Sequence, residues 1–282
     1  MREYKLSGFS DEIAADIKTQ FTVLNKLGIG YFEPRGVNGK NIAMLDDAEV
    51  AALKAEMDAF GIKVSSIGSP IGKVKLEDDF EQHFAVYKRV VRTAKLLGAP
   101  YIRIFSFYHE GGDWTDKERT EILARLKKMI AYAEAEGVIL LHENEKDIYG
   151  DTDTRCLDLF AELYGAHFKA VFDPANFIQC GVDPMDAYKK LRPYIAYMHI
   201  KDALFESGRV VPAGMGDGSV KAILSDLYAG GYDGFLSLEP HLGSFEGLQD
   251  LEIGRRLPDL PKGGEGTFTL AAEALRSILA AI

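Results

Sequence analysis

One unit recurs along the chain: a stretch with helical apolar spacing, a glycine, then a short apolar run. It first appears over Asp11–Leu27, which puts Ile13, Ile17, Phe21, Leu24 and Leu27 on one face, followed by Gly28 and Ile29–Glu33. Glycine suits the stop because it enters the left-handed conformation that closes a helix without a Cβ penalty. The unit returns as Val50, Leu53, Met57 and Phe60 before Gly61 and Lys63–Ile67, then as Phe80, Phe84, Tyr87 and Val91 before Gly98 and Tyr101–Phe105. Thr115 and Glu118 form a capping box that opens the next helix, which runs through Ile122, Leu126 and Met129 to Gly137 and leads into Val138–His142. Two shorter helices precede Phe168–Phe172 and Ile195–Met198, and the turn Gly230–Gly234 precedes Phe235–Leu238. With the opening run Tyr4–Phe9 this makes eight strands.

Strands separated by helices of this length are parallel. Their near-continuous apolar character fits burial on both faces. Eight such units in 282 residues predict a single α/β domain, residues 1–282, folded as a (β/α)8 TIM barrel. The competing fold is a doubly wound open sheet, which usually carries fewer strands and often a glycine-rich phosphate turn after the first one. Here that turn reads Gly8-Phe9-Ser10-Asp11-Glu12, which is no such fingerprint. The stretch Gly243–Gly264, with Pro258 and Pro261, reads as a long excursion before a final helix, Phe268–Ile282.

A formal net charge of −10 argues against a nucleic-acid partner. The densest basic cluster, Lys88, Arg89 and Arg92, falls on a helix face and reads as solvated. Cys156 and Cys180 have neither metal-type spacing nor disulfide density, which predicts a reduced, cytoplasmic protein. No stretch approaches ~18 consecutive apolar residues, so no membrane partner is expected.

Four strands end on side chains able to bind a divalent metal: Glu143, Asp173, His199 and Glu239. In a parallel barrel all strand C-termini meet at one face, so these four, on strands five to eight, converge. A lone acid at a strand end is usually a cap or a surface group. Three unpaired carboxylates buried together, however, would be costly without a cation. One imidazole with three carboxylates is a hard, oxygen-dominated set, suited to one Mn²⁺ or Mg²⁺, with Zn²⁺, Co²⁺ and Fe²⁺ as rivals.

Side chains two apart on a strand share a face, so Glu145, Lys201 and His241 are expected to rim the same pocket, where they can hold hydroxyls and move protons. Glu33, Arg35, Ser66, Arg103 and His109 are polar residues at or just after the other strand ends. Arg103, inside an apolar strand, needs either a barrel carboxylate or an anionic substrate group. Phe105, Phe107, Tyr108 and Trp114 offer an apolar wall, or else ordinary packing. Gly214-Met215-Gly216-Asp217-Gly218 lacks the Lys-Ser/Thr ending of a P-loop and reads as a tight loop near the mouth, with phosphate contact as its functional alternative.

These segments resemble the sugar phosphate isomerase/epimerase group of the xylose isomerase-like TIM barrels. The matching residues are His142-Glu143-Asn144-Glu145, Phe172-Asp173-Pro174-Ala175-Asn176, Met198-His199-Ile200-Lys201-Asp202 and Leu238-Glu239-Pro240-His241. Val211-Pro212-Ala213-Gly214 and Gly231-Tyr232-Asp233-Gly234 are also similar. The resemblance implies that Glu143, Asp173, His199 and Glu239 hold one divalent metal, and that Glu143 and Glu239 serve as the acid/base pair. Arg103, Glu145, Asn176, Lys201 and His241 are the expected substrate contacts. Asn176 stands where some keto-sugar epimerases carry a histidine.

The reaction expected is isomerisation or epimerisation of a monosaccharide or keto-sugar, phosphorylated or not, by proton removal next to a carbonyl and a metal-stabilised enediolate. A lyase that dehydrates a cyclic polyol ketone, such as an inosose or dehydroshikimate, is the alternative on the same site. In dehydroshikimate enzymes a histidine is expected where Glu145 stands, which counts against that reading. A DNA-repair nuclease needs several more histidines than the six present. A barrel that only binds carbohydrate is disfavoured by the intact quartet. Look-alikes are often dimers or tetramers, so a homo-oligomer is expected by analogy.

Overall fold

In the computed structural model, which describes residues 4–242 and 264–282, the eight expected strands occur in order. They are β1 (Lys5–Gly8), β2 (Tyr31–Phe32), β3 (Lys63–Val64), β4 (Tyr101–Ile104), β5 (Ile139–Glu143), β6 (Phe168–Phe172), β7 (Ile195–Ile200) and β8 (Phe235–Leu238). Six form one parallel ladder in the order β1-β8-β7-β6-β5-β4, and β2 pairs in parallel with β3. Isolated hydrogen bonds close the ring. Glu33 N donates to Gly8 O at 2.9 Å and links β2 to β1, while Ile67 N to Tyr101 O and Arg103 N to Ile67 O, both 2.9 Å, link β3 to β4. The architecture is the (β/α)8 barrel. The ladder of β2 stops early because Pro34 follows Glu33 and has no N–H to donate.

The surrounding helices are α1 (Ile17–Lys26), α2 (Asp47–Phe60), α3 (Phe80–Leu97), α4 (Asp116–Glu136), α5 (Asp153–Leu163), α6 (Pro174–Gln179), α7 (Pro184–Leu191), α8 (Val220–Ala229) and α9 (Gly264–Leu279). Gly61, Gly98 and Gly137 end α2, α3 and α4 in the left-handed conformation, with φ of 68°, 71° and 71°. The Thr115–Glu118 capping box is present. The first helix differs from expectation. Ser10–Glu12 forms a separate 3-10 turn, and α1 starts after Asp16, whose Oδ2 accepts from Thr19 N at 2.8 Å. Asp11 and Glu12 are engaged with Arg35, so the chain lies across the barrel mouth before it can turn into a helix. The excursion expected over residues 243–263 lies outside the described residues.

The main core fills the space between strands and helices, with Phe21, Phe32, Tyr87, Met129, Phe168 and Phe268 among its buried members. A smaller cluster of Leu141, Val171, Tyr197 and Phe235 plugs the barrel interior. These are the inward residues that lead up to Glu143, Asp173, His199 and Glu239 two or four positions later.

His142 points the other way, out of the barrel. Its ring lies 6.0 and 6.2 Å from those of Phe160 and Phe168, and neither ring nitrogen hydrogen-bonds to a described residue. Burial pushes its pKa down from 6.5 to about 3. The unfolded chain therefore takes up a proton below pH 6.5 that the folded chain refuses until about 3. Stability falls through that window as pH drops, by about 1.4 kcal/mol per pH unit. Between pH 6.5 and 5 the native protein is expected to lose about 2 kcal/mol more than His142→Leu. Urea unfolding of both at the two pH values checks this, and equal losses would refute it.

Candidate metal centre

Four adjacent strands deliver the quartet. Glu143 is the last residue of β5, and His199 lies inside β7, one position before its end. Glu239 follows β8 directly. Asp173 follows β6 and caps α6, its Oδ1 accepting from Asn176 N at 2.9 Å, which leaves Oδ2 for the centre. One ligand atom from each of the four lies within 4.8 Å of the others, and all four residues are buried. His199 Nδ1 sits between Glu143 Oε1 at 3.0 Å and Glu239 Oε2 at 3.3 Å.

The two glutamates are fitted alike. Each turns one oxygen to the centre and gives the other to an arginine. Arg103 Nη1 donates to Glu143 Oε2 at 2.9 Å and its Nη2 to Ser69 O at 3.2 Å. Arg35 Nη1 donates to Glu239 Oε1 at 3.2 Å, and the rest of that guanidinium is gripped by Asp11 at 2.8 and 3.0 Å. Both guanidiniums lie over the ring of Phe9, at 4.6 Å for Arg35 and 5.1 Å for Arg103. The same ring meets His199 edge-on at 5.1 Å. Asn176 Nδ2 donates to Glu143 Oε1 at 3.2 Å, and Asn144 clamps β5 to β6 by exchanging two hydrogen bonds with the Asp173 backbone, at 2.9 and 3.0 Å.

The protein's own cations hold two of the three carboxylates ionised and leave Asp173 short of charge. Burial by itself would raise Glu143, but His199 and Arg103 hold it down at about 2. Glu239 likewise overcomes burial and stays well below the usual carboxylate range through Lys201 and His241. Asp173 is pushed up to about 7 by burial, with Glu239 and Glu143 adding to the effect of burial and Lys201 opposing it. Among the described residues, Asp173 Oδ2 and Glu239 Oε2 accept no hydrogen bond. Their compensating charge is the Lys201 ammonium, at 3.2 and 3.7 Å. Buried carboxylate oxygens without donors, beside an imidazole nitrogen, fit a hard divalent ion held by Glu143, Asp173, His199 and Glu239.

The expected rim divides. Lys201 reaches the centre, while His241 meets the quartet from the side, its Nε2 3.3 Å from Glu239 Oε1, the oxygen that Arg35 holds. His241 is held in the left-handed region, φ 45°, and its N–H donates to Glu12 Oε2 at 2.8 Å. Strain of that kind persists where neighbours over-determine a position. Glu145 lies past the strand end, where alternation lapses, and pairs with Lys73 at 2.8 Å. His109 stacks on Trp114 at 3.8 Å and bonds Glu118, away from the centre. Phe105 and Phe107 are fully buried, so they are packing rather than wall. Glu12 and Asn144 escaped the reading of the chain. Glu12 sits in what looked like helix, and Asn144 points away from its neighbours' face. Burial pushes Glu12 up to about 7, against His241 and Arg35.

The glycine loop is tight, as expected, but its amides are spoken for. Asp202 accepts from Gly214 N at 2.8 Å, Gly216 N at 3.1 Å, Gly218 N at 2.8 Å and Ala203 N at 2.9 Å. A Cβ at Gly216 or Gly218 would lie 2.4 or 2.6 Å from that carboxylate. The loop therefore wraps an internal anion, which accounts for its glycines without a bound phosphate. Asp202→Ala is expected to cost about 1–3 kcal/mol, since the loop loses its shared acceptor. Faster proteolytic nicking within 212–218, together with a lower urea midpoint, would be the readout, and an unchanged midpoint would contradict it.

The chain belongs to the xylose isomerase-like TIM barrel family, whose profile matches residues 21–257. Among curated relatives, a 2-epi-5-epi-valiolone 7-phosphate 2-epimerase from Actinoplanes sp. is 27% identical over 195 residues, 68% of this chain and 70% of its own. A 3-dehydroshikimate dehydratase from Bacillus anthracis is 25% identical over 129 residues, and the match spans only 46% of either chain. Among solved structures, the IOLI protein with a bound zinc atom superposes with a TM-score of 0.76 at 18% identity, covering 98% of both chains. The relatives thus include an epimerase and a dehydratase, and the described residues contain no helix long and apolar enough to cross a membrane.

Proposed function

We propose that this protein is a metal-dependent epimerase or isomerase of a small keto-sugar, free or phosphorylated. The carrying observation is the matched pair of glutamates. Glu143 and Glu239 face each other across His199 Nδ1, at 3.0 and 3.3 Å, and each is oriented by its own arginine. Two carboxylates so placed can take a proton from one face of a carbon next to a carbonyl and deliver one to the other face. A divalent ion on the quartet, Mn²⁺ or Mg²⁺ with Zn²⁺ as the nearest rival, would supply the Lewis acidity that stabilises negative charge on the carbonyl oxygen. Arg103 and Arg35 aim the two glutamates, while His199 and Arg103 keep Glu143 ionised and Lys201 and His241 keep Glu239 so. Lys201 and His241 stand ready to hold substrate hydroxyls, and Asn176 fixes the angle of Glu143.

The relatives support the reading, since one carries the name of an epimerase of a phosphorylated cyclic keto-polyol. Elimination is the second reading, favoured by the dehydratase similarity. It needs a donor for the departing hydroxyl, a role open to Lys201 or His241. Metal analysis of the purified protein followed by a keto-sugar panel in D₂O is the test. Deuterium at a carbon that keeps its hydroxyl is the expected result. An enone absorbing in the ultraviolet would assign the lyase, and neither signal on any keto-sugar would overturn the proposal.

A further inference from the structure

Beneath the metal centre the barrel interior holds a carboxylate that the chemistry above does not use. Glu33, just past β2, is 1% exposed. Its Oε2 accepts from Tyr197 OH at 2.9 Å and from Ser237 Oγ at 2.7 Å. Tyr197 OH is in turn 2.8 Å from Ser65 Oγ, which is 2.6 Å from Ser7 Oγ. Ser7, Ser65, Tyr197 and Ser237 are all fully buried. The register explains the layer: Ser7 is aligned with Ser237, and Ser237 with His199. A carboxylate in a dry interior costs several kcal/mol unless a charge or strong donors meet it. Among the described residues, the side chain within 4.0 Å of Glu33 that can carry positive charge is His199, whose Nε2 lies 3.3 Å from Oε2, an ion-pair contact that is not aligned as a hydrogen bond. The other nitrogen of that ring, Nδ1, is the one between Glu143 and Glu239.

We infer that Glu33 is a positioning residue of the metal site: its negative charge, 3.3 Å from Nε2, favours the His199 tautomer with its proton on Nε2 and so leaves the Nδ1 lone pair to the metal. The serine and tyrosine hydroxyls hold the carboxylate in place. A ligating imidazole that donates its other N–H to a carboxylate is fixed in tautomer and ring angle and becomes a better donor. Phe9 packs edge-on against the same ring at 5.1 Å, so the imidazole is held from its side by packing and from below by charge. The inference rests on the quartet being a metal site, as proposed above.

The test is calorimetric titration of the metal-free protein with Mn²⁺ and with Zn²⁺ alone, which does not depend on activity. Glu33→Gln keeps the size and removes the charge, and is expected to weaken metal binding by about 10–100-fold. Tyr197→Phe removes one hydroxyl from the same oxygen and leaves the imidazole contact. It is expected to lower thermal stability while changing affinity far less. Should Glu33→Gln not fold, Glu33→Asp, which draws the carboxylate back from Nε2, is expected to lower affinity as well. Native-like affinity in a folded Glu33→Gln protein would overturn the inference and leave the metal site standing. Failure of the native protein itself to bind either ion would overturn both.

Discussion

Glu239→Gln is expected to lower the turnover of the accepted keto-sugar by about 10²–10⁴-fold, the range for removing a positioned acid or base. The substitution keeps the side chain's size but loses the group that carries the proton. It also withdraws one ligand oxygen and leaves Arg35 and His241, at 3.2 and 3.3 Å, facing a neutral amide. Metal content should therefore fall too. If Glu143 and Glu239 serve opposite faces of the substrate, the variant has a distinctive signature. In D₂O one epimer continues to exchange its proton through Glu143, while conversion to the other epimer stops. Steady-state kinetics, proton NMR in D₂O and metal analysis on one preparation check the three consequences. Near-native conversion would remove Glu239 from the mechanism.

Why the quartet and the need of Arg103 for an anionic partner were readable in the chain, while most of the other supports were not, follows from geometry. Residues at strand ends obey two rules that operate along the sequence: strands alternate faces, and parallel strands end together. Lys201 and His241 obey them as well and reach the quartet. Glu145 does not, because β5 ends at Glu143 and the chain leaves the pleat. Several of the supports come from strands that are not neighbours in the ring. Arg35 meets Glu239 across 204 residues, and Tyr197 meets Glu33 across 164. Periodicity carries no information about such pairs. Only closure of the barrel, through one hydrogen bond at Gly8 and two at Ile67, brings them together. The same holds for Asp202. The glycines at 214, 216 and 218 announced a tight turn, but the carboxylate they wrap comes from the end of the neighbouring strand. The false start of the first helix is the converse case. Ile13 matches the helical period of α1, yet Asp11 and Glu12 are drawn out of register by a guanidinium that lies 24 and 23 residues ahead. Long-range charge pairing there outweighs local propensity.

The largest stability effect is expected at Arg103. It donates to Glu143 at 2.9 Å, both side chains are at most 5% exposed, and its guanidinium also lies over Phe105 at 4.7 Å. Replacing it with Met fills similar space but leaves Glu143 buried among Asp173 and Glu239 with one fewer cation. Removing one partner of a buried pair costs about 3–5 kcal/mol, far more than losing an exposed one. Arg103→Met in the metal-free protein is therefore expected to lose about 3–5 kcal/mol of stability. Glu143→Gln in the same background should return much of that loss, because the stranded charge goes with it. A double-mutant cycle in urea, run with chelator, measures the coupling. Added Mn²⁺ should restore part of the stability of Arg103→Met, since a cation on the quartet supplies the charge that the arginine no longer does. Additive single losses, with no coupling and no metal rescue, would mean that Arg103 acts through packing on Phe9 and Phe105 rather than by holding Glu143 ionised. The pairing with Glu143 would then be incidental to the site.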